Sequence, residues 1–263
     1  MPKELRDNVS RTKGPSPIGK SIFIGLRAAD VFWQYNLLRR SWGMAIIEKL
    51  GGHAAPAIQV LHPVGLTGLR PYYDLVSLFS LGSSVKQIAH MALVSEQEMS
   101  TGSAVAIAAF NTIFNSVNTL FSLWAVSSPA SSISYLSNWK DTLSNPLIAV
   151  GVGAYTIGIL TEAISEFQRK AFKNDPANKG KPYAGGLFSL ARNINYGGYT
   201  IWRTGYALAT GGIAWGIATF AFYFADFATR GVPVLEEYLT SRYGDAYEEV
   251  KSRVPYSLIP GIY

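Results

Sequence analysis

The residues able to do chemistry gather in the last hundred positions. In the stretch 161–183, Glu162, Glu166, Arg169 and Lys173 are spaced four, three and four apart, which puts them in one stripe along a helix. An arginine and a lysine one turn apart suit a nucleotide phosphate in a partly dry cleft. The same stripe also fits a helix leaving a membrane, with Glu166 paired to Lys170 and the basic side chains reaching outward. A second group lies in 190–212, where a helix would place Arg192, Tyr196, Tyr199 and Arg203 on one face. Asn195, Tyr199, Trp202 and Tyr206 would share an overlapping face. An interfacial aromatic belt accounts for Trp202 and Tyr206. It does not account for Asn195 and Arg203, because an arginine carried into a span costs about 2.5–3.5 kcal/mol unless it meets a partner or a wet cavity.

A third group closes the chain. Residues 233–263 read as an amphipathic helix ending near Gly244, a second short helix and an extended tail punctuated by proline. Glu236 and Glu237 fall near the start of the first helix, where carboxylates favour the dipole. The other reading is a cationic or hydroxylated ligand, and on composition alone the surface reading wins.

These groups need rigid carriers, and composition says what kind. Of the 263 residues, 48% are hydrophobic and 15% charged, against roughly 25% charged in soluble domains. Apolar windows cover 73–94, 104–126, 146–164 and 205–225; about 20 such residues cross the hydrocarbon. Two weaker windows are 18–38, interrupted by Arg27, Asp30 and Gln34, and the short 56–69. Counting 196–210 as a span packed on its successor predicts roughly six or seven crossings. The expected fold is an all-α polytopic transmembrane bundle with C-terminal helices in the cytosol, since helices satisfy their backbone internally and no barrel alternation appears. The expected organisation is a single membrane domain, 1–263, with a polar tail over 1–17 and a cofactor-binding half over 160–263.

The tail has no apolar core followed by a cleavage site, so the first apolar helix is expected to stay as an anchor. Lys3, Arg6, Arg11, Lys13 and Lys20 precede that helix, and Arg169, Lys170, Lys173, Lys179, Lys181 and Arg192 follow residue 164. Under the positive-inside rule both segments face the cytosol. The net charge of +6 is thereby explained by orientation rather than by nucleic acid. The chain has no cysteine, which excludes disulfides and thiol nucleophiles. Its three histidines, His53, His62 and His90, lack zinc-ligand spacing, so no metal is expected. In the N-terminal half, Asp30, Gln34, Asn111, Asn115 and Asn118 are candidate polar contacts. They would either bond helix to helix or line a polar cavity.

In this order, the three C-terminal groups resemble a superfamily of membrane enzymes that joins sterol reductases, steroid 5-alpha-reductase-like proteins, and isoprenylcysteine and phospholipid methyltransferases. The similarity covers about residues 160–263. The reductase pattern of Gln-Lys, Phe-Arg and Pro is echoed by Gln168, Arg169, Phe172, Lys173 and Pro176. "RNINYGGY" matches an Arg-His-x-Asn-Tyr-x-Gly signature at Arg192, Asn195, Tyr196 and Gly198. Glu236, Glu237, Tyr243, Gly244 and the terminal "VPYSLIPGIY" match the ending. Two positions depart from the pattern: Asn193 replaces the histidine and Tyr199 replaces an acid.

The resemblance implies NADPH-dependent reduction of a carbon-carbon double bond in a sterol, steroid, terpenoid or enone lipid, in the endoplasmic reticulum, with the cofactor arriving from the cytosol. It implies that Arg169, Lys173, Lys179 and Arg192 serve phosphates, with Asn193, Asn195, Tyr196, Arg203, Glu236, Glu237 and Tyr243 completing the cofactor site. Tyr199 and Tyr196 become the catalytic candidates, Tyr199 as a proton donor beside Arg203. The alternative within the superfamily is an S-adenosylmethionine-dependent methyltransferase acting on a lipid or prenylated acceptor, in which Glu236 or Glu237 would hold the cofactor. A third alternative is a non-catalytic lipid-binding member of the fold.

Overall fold

A computed structural model describes residues 10–55, 65–131 and 138–263. Lys3, Arg6 and His62 lie outside the described residues. So does most of the short 56–69 window, whose described end is turn and bend.

Nine α-helices are described, and the described residues contain no strand beyond isolated bridges such as Lys13 with Gln97. They are α1 (Pro17–Arg39), α2 (Trp42–Lys49), α3 (Pro71–Ala89), α4 (Thr101–Leu123), α5 (Trp139–Ser144), α6 (Pro146–Asn174), α7 (Ile194–Asp226), α8 (Val232–Tyr243) and α9 (Asp245–Arg253). Proline opens α1, α3 and α6, where its missing N–H costs nothing and its fixed φ suits the first turn. Ser100 caps α4 by accepting from the Ser103 amide, and Asn145 caps α6 by accepting from Leu147. The two C-terminal helices form as the sequence predicts, with Gly244 at a φ of 53° separating α8 from α9, whereas the tail expected to be extended curls into bends and turns in which Leu258 and Ile259 donate to the Tyr263 carbonyl.

Helix α7 is a hairpin. Gly212 has a φ of 72° inside it, a left-handed conformation that side-chain-bearing residues resist. The chain turns back there, so Tyr199 meets Tyr223 at 5.2 Å and Tyr196 stacks on Phe227 at 4.5 Å between ring centres. The expected packing of 196–210 on its successor is therefore present. Glycines let α6 lie close against the first arm. A Cβ on Gly158 would come within 2.4 Å of the Trp202 backbone nitrogen, and one on Gly151 within 2.7 Å of the Gly205 carbonyl. Such small-residue seams are how membrane helices bring their backbones together.

Among the described residues, three helical stretches are long and apolar enough to cross a membrane: α4, α6, and 194–243, which contains the α7 hairpin. That is fewer than the six or seven read from the sequence. α1 and α3 fall short because both carry polar groups, yet those groups point inward. Arg27 and Asp30 form an ion pair at 3.1 Å with both side chains fully buried. Arg27 also donates to Ser84 of α3, and Gln34 donates to Ser116 of α4. Asn115 donates to Asp30, and Thr119 to Gln34. The polar residues of the N-terminal half thus bond helix to helix, as buried polar groups in an apolar bundle must. The outward faces of α1 and α4 present Ile18, Phe32, Ile107 and Ile113.

These contacts fix the direction of each helix. α1 and α4 start at one end of the bundle, and α3 and α6 finish there. That end collects residues 10–16, the 95–100 link, the 175–193 segment and α8 with α9. The described parts of the two basic segments thus lie at one end of the bundle.

Candidate active site

The shared end holds a cleft between the last turns of α6, the 94–97 link and α8. Its cavity measures about 300 Å³, at the lower end of small-molecule sites, and shares Arg169, Lys173, Leu235, Leu239 and Tyr243 as lining with an adjacent smaller one of about 70 Å³. Glu166, Arg169 and Lys173 of the α6 stripe form the floor. Glu162, first in the stripe, lies off the cavity walls, where it accepts from the Trp202 indole at 2.7 Å and pairs with Lys86 of α3. Next is Glu166, 4% exposed, which accepts from Asn195 at 2.7 Å and pairs with Arg169. At the rim, Lys173 donates to the Lys181 carbonyl at 2.7 Å and to the Tyr243 hydroxyl at 2.8 Å. The expected Glu166–Lys170 pair does not form, because Lys170 turns outward to the Leu93 carbonyl and leaves Glu166 to Arg169 and Asn195.

Some polar atoms here lack a partner within the protein. The buried Tyr247 hydroxyl faces Arg192, whereas the Asn195 Oδ1 and the His90 Nδ1 are buried and make no hydrogen bond. Such groups are rare in folded chains and mark places for a ligand or ordered water. Burial pushes the Tyr247 phenol up to about 12, so it stays a neutral donor.

The structure gathers Arg169, Lys173, Asn195 and Tyr243 around the cleft, with Arg192 on the wall of its smaller part. It places the other predicted site residues elsewhere. The Arg192 guanidinium pairs with Glu236 at 2.6 Å and donates to the Val254 and Pro255 carbonyls and the Ser257 hydroxyl. The two residues therefore clasp the C-terminal tail. Asn193 starts α7 with both amide atoms buried and unpartnered, away from the cavity walls. Lys179 and Glu237 are exposed and line neither cavity. Tyr196 packs among Phe227, Val232 and Leu258. Tyr199 and Arg203 sit inside the bundle, where Arg203 donates to Tyr199 at 3.1 Å, bonds Asn111 and Asn115, and stacks on Trp202. The family-like signature thus divides into a cleft part and a part that packs helices.

A second cavity, about 210 Å³ and apolar, opens on the flank between α3 and α6. Val85, Leu160, Ala163 and Phe167 line it, and it shares His90, Val94 and Glu166 with the cleft. His90 sits in a π-helical turn, His90–Val94, that continues α3. Burial lowers its imidazole pKa, opposed by Glu166 and Glu162 and assisted by Lys86 and Arg169. No local pattern marks this junction: spacing along α6 places Glu166 in a charged stripe, and the three scattered histidines show no ligand spacing that singles out His90. No group of residues suited to a metal ion occurs among the described residues.

The described residues form an all-helical bundle with apolar helices compatible with membrane embedding and a polar cleft at one end, and the family that the sequence matches places it in the steroid 5-alpha-reductase-like superfamily. Within it, the chain belongs to the family described as "Protein of unknown function (DUF1295)", whose model matches residues 29–254. A protein of Ustilaginoidea virens named "Probable O-methyltransferase ustE" is 38% identical over 242 residues, which cover 90% of this chain and 84% of that relative.

Proposed function

We propose that the protein is a membrane methyltransferase that moves a methyl group from S-adenosylmethionine to an oxygen of a lipid-soluble acceptor. The observation that carries this reading is the full-length likeness to a protein named as an O-methyltransferase. The cleft residues fit such a donor. The buried Glu166 carboxylate suits its cationic part, and Arg169 and Lys173 suit its carboxylate. The unpartnered Asn195 Oδ1 can take up a further hydrogen bond, while Tyr183, Phe188 and Tyr243 offer ring faces. When bound, the donor supplies an electrophilic methyl group. The protein's share is to hold it, orient it and keep water out.

The expectation of NADPH reduction gives way to its stated alternative, and with it Tyr199 loses its part as proton donor. One observation still favours a phosphate-bearing cofactor: Arg11, Lys13, Lys170 and Arg242 also line the cleft, making it strongly cationic. Calorimetric titration of the purified protein in lipid nanodiscs with S-adenosylmethionine and with NADPH separates the readings. Binding of S-adenosylmethionine is expected; binding of NADPH alone would restore the reductase.

The reading includes six membrane passes, by α1, α3, α4, α6 and the two arms of α7. The cleft then faces the cytosol under the positive-inside rule.

A further inference from the structure

The flank groove and the cleft share three lining residues, of which two are polar, His90 and Glu166. From this meeting we infer that the α3–α6 groove is the entry port for a neutral lipophilic hydroxyl compound, such as a phenol, and that His90 takes the hydroxyl proton. The inference rests on the methyltransferase reading and names its acceptor class.

Each part has its own support. The groove is apolar and lies on an outward flank, where Val85 is 53% and Leu160 51% exposed. An occupant from the bilayer can therefore enter sideways without crossing the charged rim. At the inner end the groove offers an imidazole whose buried Nδ1 has no protein partner. A hydroxyl can satisfy that nitrogen; an alkyl chain cannot. Within the groove itself, unlike the cationic cleft beyond it, the charges offer an anionic acceptor no counterion. Glu166 is a carboxylate at the junction, and Lys86, the cation lining the groove, is engaged by Glu162. A carboxylic acid acceptor would arrive as an anion beside Glu166 and would need no base. A hydroxyl acceptor needs one, and an imidazole kept neutral by its surroundings can serve.

The step balances. The acceptor O–H bond breaks as the His90 Nδ1 takes the proton, and an oxygen electron pair forms the new C–O bond to the methyl carbon. The pair of the broken S–C bond stays on sulfur, leaving a neutral thioether. The imidazolium then releases its proton to water in the cleft.

The test uses the full chain in phosphatidylcholine nanodiscs with ¹⁵N-labelled histidine. Only three imidazoles are present, and His90→Gln identifies the His90 signals by their loss. 1-Naphthol is the probe and dodecanoate the anionic control. We expect naphthol to shift the His90 signals in the wild type, with dodecanoate leaving them in place. We expect Ala163→Trp, which fills the groove, to weaken naphthol binding roughly tenfold or more while S-adenosylmethionine binding persists. Leu160→Trp at the outer rim tests the same port should Ala163→Trp not fold. The proposal is overturned if naphthol leaves the His90 signals unmoved, as it would were the groove filled only by lipid chains. It is equally overturned if dodecanoate moves them as far as naphthol does, or if neither tryptophan variant weakens binding. Failure of the wild type to bind S-adenosylmethionine overturns the methyltransferase reading instead, and is separable because the His90 shift is read without that cofactor.

Discussion

At the scale of single residues, charge pairs decide what the cleft can hold. Glu166 is buried and faces the cavity, so Glu166→Gln removes the negative charge assigned to the cationic donor. S-adenosylmethionine affinity should fall roughly tenfold or more, measured by calorimetry, and unchanged affinity would move the donor's cationic part elsewhere. Arg192 acts differently, tying the tail through Glu236 and the 254–257 backbone and side chains. Arg192→Ala should cost about 1–3 kcal/mol of stability, seen as a lower melting temperature and faster proteolysis after residue 253. His90 gives a pH signature. Its folded pKa lies below the ordinary imidazole value of about 6.5, so below that pH the unfolded chain binds the proton more readily. Stability should therefore be complete above about 6.5 and decline as the medium is acidified through that value and toward the lower folded pKa. Glu162, Glu166, Lys86 and Arg169 face the ring, and Glu96, Lys13 and Tyr243 lie across the cleft. Melting curves of wild type and His90→Gln should diverge on the acid side, and parallel curves would contradict the burial of a neutral ring.

At the scale of elements, glycine placement decides whether the floor and wall of the cleft meet. Gly158 has no room for a side chain against the Trp202 backbone, so Gly158→Val should push α6 from α7 and cost about 1–3 kcal/mol. The same displacement would separate Glu166 from Asn195, so loss of cofactor binding should accompany the loss of stability. Gly212 is a conformational requirement rather than a packing one, since open space surrounds its Cβ position except for the Ser127 carbonyl at 3.6 Å. Gly212→Ala should cost about 1–2 kcal/mol through its positive φ, measured by thermal unfolding in detergent, and should leave the α6 seam intact.

At the scale of the whole molecule, the arrangement predicts which loops share a side of the membrane. The chain has no native cysteine, so single cysteines report without background. Ser10→Cys and Lys179→Cys should react with an impermeant maleimide from one side of sealed vesicles, and Glu48→Cys and Val126→Cys from the other. Labelling of residues 10 and 179 from opposite sides would refute the six-pass arrangement. Much of this molecule was legible in advance. Apolar runs marked α4, α6 and both arms of α7, and prolines and glycines marked their ends, because helix length and caps are local properties. The α6 stripe was legible for the same reason: spacing along one helix fixes which side chains share a face. Partners were not legible. Nothing local told that Glu166 would choose Arg169 and Asn195 over Lys170, or that Arg192 would close on Glu236 across 44 positions. Nor did the sequence show that Tyr199 and Arg203 would turn into the bundle while Asn195, four residues from Tyr199, turned to the cleft. The sequence alone determined a helical, membrane-compatible chain with a basic, aromatic C-terminal half. Only the tertiary structure decided where polar groups lost their partners and which cavities joined, because burial and cavity shape are set by helices distant in sequence packing together.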